Sequence, residues 1–222
     1  MEYSLTIHNS SGADQNIALF QADALKSGFP LIWLSKKISN DNHHTFDWSI
    51  IWGLGYGSTS QPLDVGVSYV SQKMMQVRPN DASGVNEIHI KYDDQNFTFS
   101  EPYYNDKIES GVMQIITDTS FTVEDSLKMS VAVYMKNKPI LVSQGRPNYQ
   151  YQFYTNTIYY LTVTDIPEGS VLPVFTSSNS SMMKFISQPN SAISKPTKVN
   201  FSASKNELRY NLNNLLVFEC DS

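Results

Sequence analysis

TFDWSIIWGLGYGSTSQPLDVGVSYVSQ, residues 45–72, carries two tryptophans, four glycines and only two charged residues, Asp47 and Asp64. Its first part alternates. Phe46, Trp48 and Ile50 fall on one phase and Thr45, Asp47 and Ser49 on the other, which is the period of a half-buried strand. Gly53, Gly55 and Gly57 then interleave with Leu54 and Tyr56. A strand continued through them has one face without side chains, and such a face holds only where something packs closely on its backbone. The simpler expectation is a turn or bulge flanked by aromatic residues. Trp48 shares the phase of Phe46 and Ile50 and is assigned to a core. Trp52 continues that phase but borders the glycines, so Trp52 and Tyr56 are left as the aromatic residues that packing explains least.

The same alternation recurs on both sides. Tyr3, Leu5 and Ile7 alternate with Ser4, Thr6 and His8, and Asn9-Ser10-Ser11-Gly12 ends the run, an edge-like first strand. Further strands are expected at 17–20, 31–34, 65–70, 88–92, 111–116, 131–135, 171–175, 199–203, 208–212 and 215–218. Residues 92–97, YDDQNF, read as a hairpin. Residues 136–138 close one strand and open the next. Tyr149 and Tyr151 alternate with Gln150 and Gln152, giving an aromatic face and an amide face. Residues 149–154 and 157–164 are expected to pair with or neighbour each other across Thr155-Asn156. Only 120–127 offers a helical turn.

About a dozen short strands with turns between them argue for an all-β fold. The expectation is a single-domain antiparallel β-sandwich of short strands over residues 1–222. A serine-rich surface excursion around 176–196 would be anchored by Met182, Met183, Phe185 and Ile186.

Composition narrows the function classes. Charged residues make up 17% of the chain and the formal net charge is −5, with much of the polarity coming from uncharged side chains and 13 tyrosines. Lys36-Lys37 and the lysines at 136 and 138 are too few for a phosphate-backbone footprint, so no nucleic acid partner is expected. The start, MEYSLTIHNSSG, reads as a strand and not as a leader. A cytoplasmic location is expected on that ground, with export by another route left open. Cys220 is the single cysteine, so no intrachain disulfide forms.

Candidate chemistry is sparse. His43-His44 point to opposite faces if they lie in a strand, and no Cys or His spacing supports zinc. His8 and His89 sit on polar phases of their strands. Asp93-Asp94 belongs to a hairpin turn, where aspartate bonds its own backbone, and Asp118, Glu124 and Asp125 read as a solvated face. No catalytic residues, cofactor or metal are therefore expected. The binding candidates are Trp52, Tyr56, Tyr149 and Tyr151.

Several segments resemble the rhizosphere-expressed RhiA-like proteins of bacteria. They are YSLTIHNSSG at 3–12, ALFQ at 18–21, LIWLSKK at 31–37, TFDWSIIW at 45–52 and VGVSYVSQ at 65–72. Residues 158–164 with EGSVL at 168–172, and VNFSASKNELRY at 199–210, extend the likeness. GLGYGS after Trp52, where the family is expected to be more acidic, and the tyrosine-rich 136–154 depart from it. The resemblance implies a β-sandwich without established catalytic residues and a host- or population-associated role. The function expected is non-enzymatic, through self-association as a homo-oligomer or through protein binding. The alternative is a module that binds a glycan or a membrane surface.

Overall fold

The period-2 alternation is realised as strand along most of the chain. The computed structural model describes residues 2–21, 28–100, 102–127, 129–155, 158–172, 193–202 and 204–221. The serine-rich excursion expected around 176–196, with Met182, Met183, Phe185 and Ile186, therefore lies almost wholly outside the described residues. In chain order the strands are β1 (Glu2–Asn9), β2 (Gln15–Gln21), β3 (Phe29–Pro30), β4 (Ile32–Ile38), β5 (His43–Ser49), β6 (Trp52–Thr59), β7 (Tyr69–Val77), β8 (Glu87–Asp93) and β9 (Asn96–Phe99). They continue with β10 (Val112–Thr117), β11 (Ser130–Met135), β12 (Lys138–Gln144), β13 (Tyr149–Tyr154), β14 (Tyr159–Val163), β15 (Thr197–Val199), β16 (Glu207–Leu212) and β17 (Phe218–Cys220). One helical turn, α1 (Val123–Ser126), is closed by a capping box between Thr122 and Asp125. No helix among the described residues is long and apolar enough to cross a membrane.

These strands form a β-sandwich of four sheets, ordered β17-β16-β1-β5, β13-β10-β8-β9, β3-β12-β11-β6-β7 and β15-β14-β2-β4. All but two of the strand pairings described are antiparallel; β1 with β16 and β8 with β10 run parallel. The parallel pairing with β16 puts β1 inside its sheet, so the edge-like reading of the first strand is corrected. Its polar phase is polar because it faces outward, while both its edges are used. The expected pairing of 149–154 with 157–164 is also corrected. β13 pairs with β10, and β14 pairs with β2 and β15.

One large core cluster draws on all four sheets, including Leu5, Leu19, Leu54, Ile115 and Leu212. Each fully buried aliphatic side chain of this kind contributes roughly 1.5–3 kcal/mol. Trp33 and Trp48 meet edge-to-face at 5.4 Å between centroids, and Tyr3 stacks on Trp48 at 5.7 Å. Their ring nitrogens are satisfied: Trp48 Nε1 donates to the Tyr159 hydroxyl (3.1 Å) and Trp33 Nε1 to the Met135 carbonyl (3.3 Å).

β6 runs through the glycines. Of the turn or bulge expected there, the turn is absent, and a register shift against β7, as a bulge makes, lies between Tyr56 and Gly57. Trp52, Leu54 and Tyr56 face the large core, while the glycine face meets a second cluster around Tyr69, Tyr134 and Val142. A Cβ at Gly55 would lie 2.9 Å from Tyr134 Cε2, and one at Gly57 would lie 2.6 Å from the Tyr69 hydroxyl oxygen. The side-chain-free face is thus the floor for two tyrosine rings. Their hydroxyls bond to each other at 2.8 Å, and Ser71 Oγ bonds to Tyr134 at 2.8 Å. Burial pushes both phenol pKa values above their ordinary range.

Candidate functional site

Packing accounts for three of the four aromatic candidates. Trp52 lies in the large core opposite Met135 and Val77, 8% exposed. Tyr56 is also buried; its hydroxyl donates to the Phe97 carbonyl and its ring meets Phe99 edge-on at 5.2 Å. Tyr151 is buried and donates to the Gln144 carbonyl at 2.9 Å. Tyr149 is exposed, with the Arg146 guanidinium 5.2 Å from its ring centroid. Trp52 and Tyr56 belong to one sheet and Tyr149 and Tyr151 to another, so the four do not converge. The reading of Trp52 and Tyr56 as unexplained by packing is corrected: β6 carries them inward because its other face is given over to the tyrosines.

The structure assembles a different constellation on β8, β10 and β13. Glu87, at the start of β8, is wholly buried. Its Oε1 accepts from His89 Nε2 (2.7 Å) and from the Tyr103 hydroxyl, and its Oε2 accepts from Asn105 Nδ2 (2.9 Å) and Gln114 Nε2 (2.7 Å). Burial works to raise the Glu87 pKa. The hydrogen bonds from Tyr103, His89 and Asn105 outweigh it and hold the carboxyl below its ordinary range. Hydrogen bonding to the Glu87 carboxylate, then burial, raises the Tyr103 phenol.

A carboxylate only accepts, so it fixes the orientation of each amide beside it. Gln114 turns its Nε2 to Glu87 and its Oε1 away. That oxygen accepts from Gln150 Nε2 (2.7 Å) and Gln152 Nε2 (3.3 Å). Beyond this relay lies a cleft of about 350 Å³ bordered by Asn105, Gln114, Gln150, Gln152 and Tyr154, with Lys107 and Glu109 also in its wall. β13 places its side chains accordingly: Tyr151 and Phe153 are buried, while Gln150, Gln152 and Tyr154 are exposed.

β13 is also the outermost strand of its sheet among the described residues. The Gln114 and Asp118 N–H groups bond to Asn86 and Ile90 carbonyls, toward β8, and Thr155 N–H bonds to the Gly111 carbonyl. The odd-numbered members of β10 therefore serve β13, and the ladder alternates. This directs the backbone N–H and C=O of Gln150, Gln152 and Tyr154 at the outer edge, which no described strand pairs with.

Other candidates resolve locally. His43 and His44 do lie in a strand, at the start of β5; His43 lies opposite His8, and His44 packs edge-on against Phe46 at 4.8 Å. His8 Nδ1 is engaged by Ser10 Oγ (2.9 Å) and Asn211 Oδ1 (3.1 Å). Asp93 pairs with Asn96 across the β8–β9 hairpin, and Asp118 Oδ1 accepts from the N–H of Ser120 at 3.0 Å. No group of three or more potential metal ligands converges among the described residues.

Glu87, Tyr103, Asn105 and Gln114 were not among the sequence candidates. Two signals were available: Glu87 shares a phase with His89, and Gln114 interrupts the apolar run Val112-Met113-Gln114-Ile115-Ile116. A lone polar residue inside an apolar strand needs a buried partner.

The family model of RhiA matches residues 1–202. The chain belongs to the RhiA family. No curated protein and no solved structure matches it. In this RhiA-family protein, β16 and β17 lie beyond the matched residues, although β16 is the parallel neighbour of β1. The constellation around Glu87 and the whole of β13 lie within them.

Proposed function

We propose that this RhiA-family protein works by association and without catalysis, and that it self-associates along the open edge of β13. The observation that carries this reading is the character of that edge. Its sequence, YQYQFY, has no charge, proline or glycine. The remaining outer strands are guarded: β3 by Pro30, β4 by Lys36 and Lys37, β5 by Asp47, β7 by Lys73, β15 by Lys198 and β17 by Glu219, while β9 has only four residues. Charges, prolines and short length are the usual means of blunting an edge. Glu87 also supports a non-catalytic role, since both its oxygens are already occupied by donors.

A two-fold axis through Gln152 sets it against Gln152 of a second copy and sets Gln150 against Tyr154. That register uses the outward backbone groups and keeps the amide face continuous. Size-exclusion chromatography with light scattering over a concentration series is expected to give a dimer that dissociates on dilution. Gln152→Pro removes an outward N–H and leaves the ladder to β10 intact, so it is expected to give a monomer with near-unchanged thermal unfolding. A wild-type protein that stays monomeric at millimolar concentration sinks the proposal.

A further inference from the structure

The cleft beside Gln114 is built differently from a surface depression. Its back wall is Gln114, 4% exposed and held by the fully buried Glu87. Gln150 and Gln152 each commit an amide hydrogen to Gln114 Oε1, and each keeps a second N–H and a carbonyl oxygen beyond that bond. The relay thus presents amide donors and acceptors at the wall of the cleft. Tyr154 stands at the same wall, 47% exposed, with its ring available for stacking. Lys107 and Glu109, one of each charge, also line it.

Amides that both donate and accept match hydroxyl groups, which do the same. An exposed tyrosine ring offers an apolar face to the C–H face of a pyranose. The lining has one side chain of each charge and no net formal charge of its own, which suits a neutral ligand, and a volume of about 350 Å³ is of the size of a small-ligand site. We propose that this cleft is a subsite for a neutral sugar, with Tyr154 stacking on the ring and Gln150 and Gln152 bonding its hydroxyls. It stands apart from the edge pairing, which uses backbone groups of β13 and not its side chains.

The test uses the full chain on a glycan array, followed by saturation-transfer NMR with glucose, galactose, mannose and N-acetylglucosamine. Binding of at least one neutral glycan is expected, reduced tenfold or more by Tyr154→Ala and by Gln150→Ala. His43→Ala, on a different sheet, is expected to leave it unchanged. Both cleft variants keep every backbone N–H of β13, so their light-scattering mass should match wild type even where sugar binding is lost. That separates failure of this assignment from failure of the edge reading. The proposal is overturned if no glycan binds, if only charged glycans bind, or if Tyr154→Ala and Gln150→Ala bind as wild type does.

Discussion

At Glu87, removing the negative charge leaves donors facing donors. Its four partners are all placed to donate, so Glu87→Gln must reorient His89 and Tyr103 or leave a buried N–H unpaired. A loss of about 1–3 kcal/mol at pH 7 is expected, measured by urea unfolding. The pH dependence has a definite sign. The folded pKa lies below the ordinary value of 4.5, so the stabilisation is complete above that value and fades as pH falls through the lower folded pKa. The gap in Tm between wild type and Glu87→Gln should therefore narrow below about pH 4. Gly57 makes a steric claim of the same local kind. A Cβ there would lie 2.2 Å from the Val70 carbonyl oxygen and 2.6 Å from Tyr69 Cζ. Gly57→Ala is expected to cost about 1–3 kcal/mol, the range for overpacking a filled site; a change in urea midpoint within error would show that β7 gives way freely.

Among the elements, the hairpins are the parts most directly encoded. Asp94 and Gln95 join β8 to β9 with φ of 47° and 63°, and Lys136 and Asn137 join β11 to β12 with φ of 48° and 64°. Two left-handed residues in a two-residue loop match the twist of the flanking strands. Gln95 is the poorer fit, since a side chain without a local bond is strained in that region. Gln95→Gly is expected to raise stability by about 0.5–1 kcal/mol, read as a higher Tm. The hairpin signal at 92–97 was legible because turn chemistry is local. The partner of 149–154 was not. Sequence proximity pointed to 157–164, yet β13 matches its alternation to β10, placing Tyr151 opposite Ile115 and Phe153 opposite Met113 on the buried face.

For the whole molecule, the parallel pairing of β1 with β16 makes the late strands part of the main core. Leu208, Tyr210, Leu212 and Phe218 are all buried in it. At roughly 1.5–3 kcal/mol for each such side chain, their loss is comparable with the whole stability of a typical domain, about 5–15 kcal/mol. A chain ending at residue 206 is expected to lose cooperative thermal unfolding and near-ultraviolet circular dichroism. A sharp transition close to the wild-type Tm would mean that β1 is held by β5 alone.

Period-2 alternation, turn residues and scant charge were enough, from sequence, to establish an all-β sandwich and most of its strands, and the segments at 3–12, 31–37, 45–52 and 65–72 carried the family. These are properties of neighbouring residues, and neighbours are what a sequence displays. Tertiary structure alone decided three things. It set which strand pairs with which, because one face of a strand satisfies many partners equally well. It gave the glycines of β6 their purpose, since the tyrosines they accommodate come from β7 and from β11, the latter far along the chain. It gathered Glu87, His89, Tyr103, Asn105 and Gln114 from two strands and the loop between them, where burial turns ordinary polar residues into an oriented relay that no spacing announces.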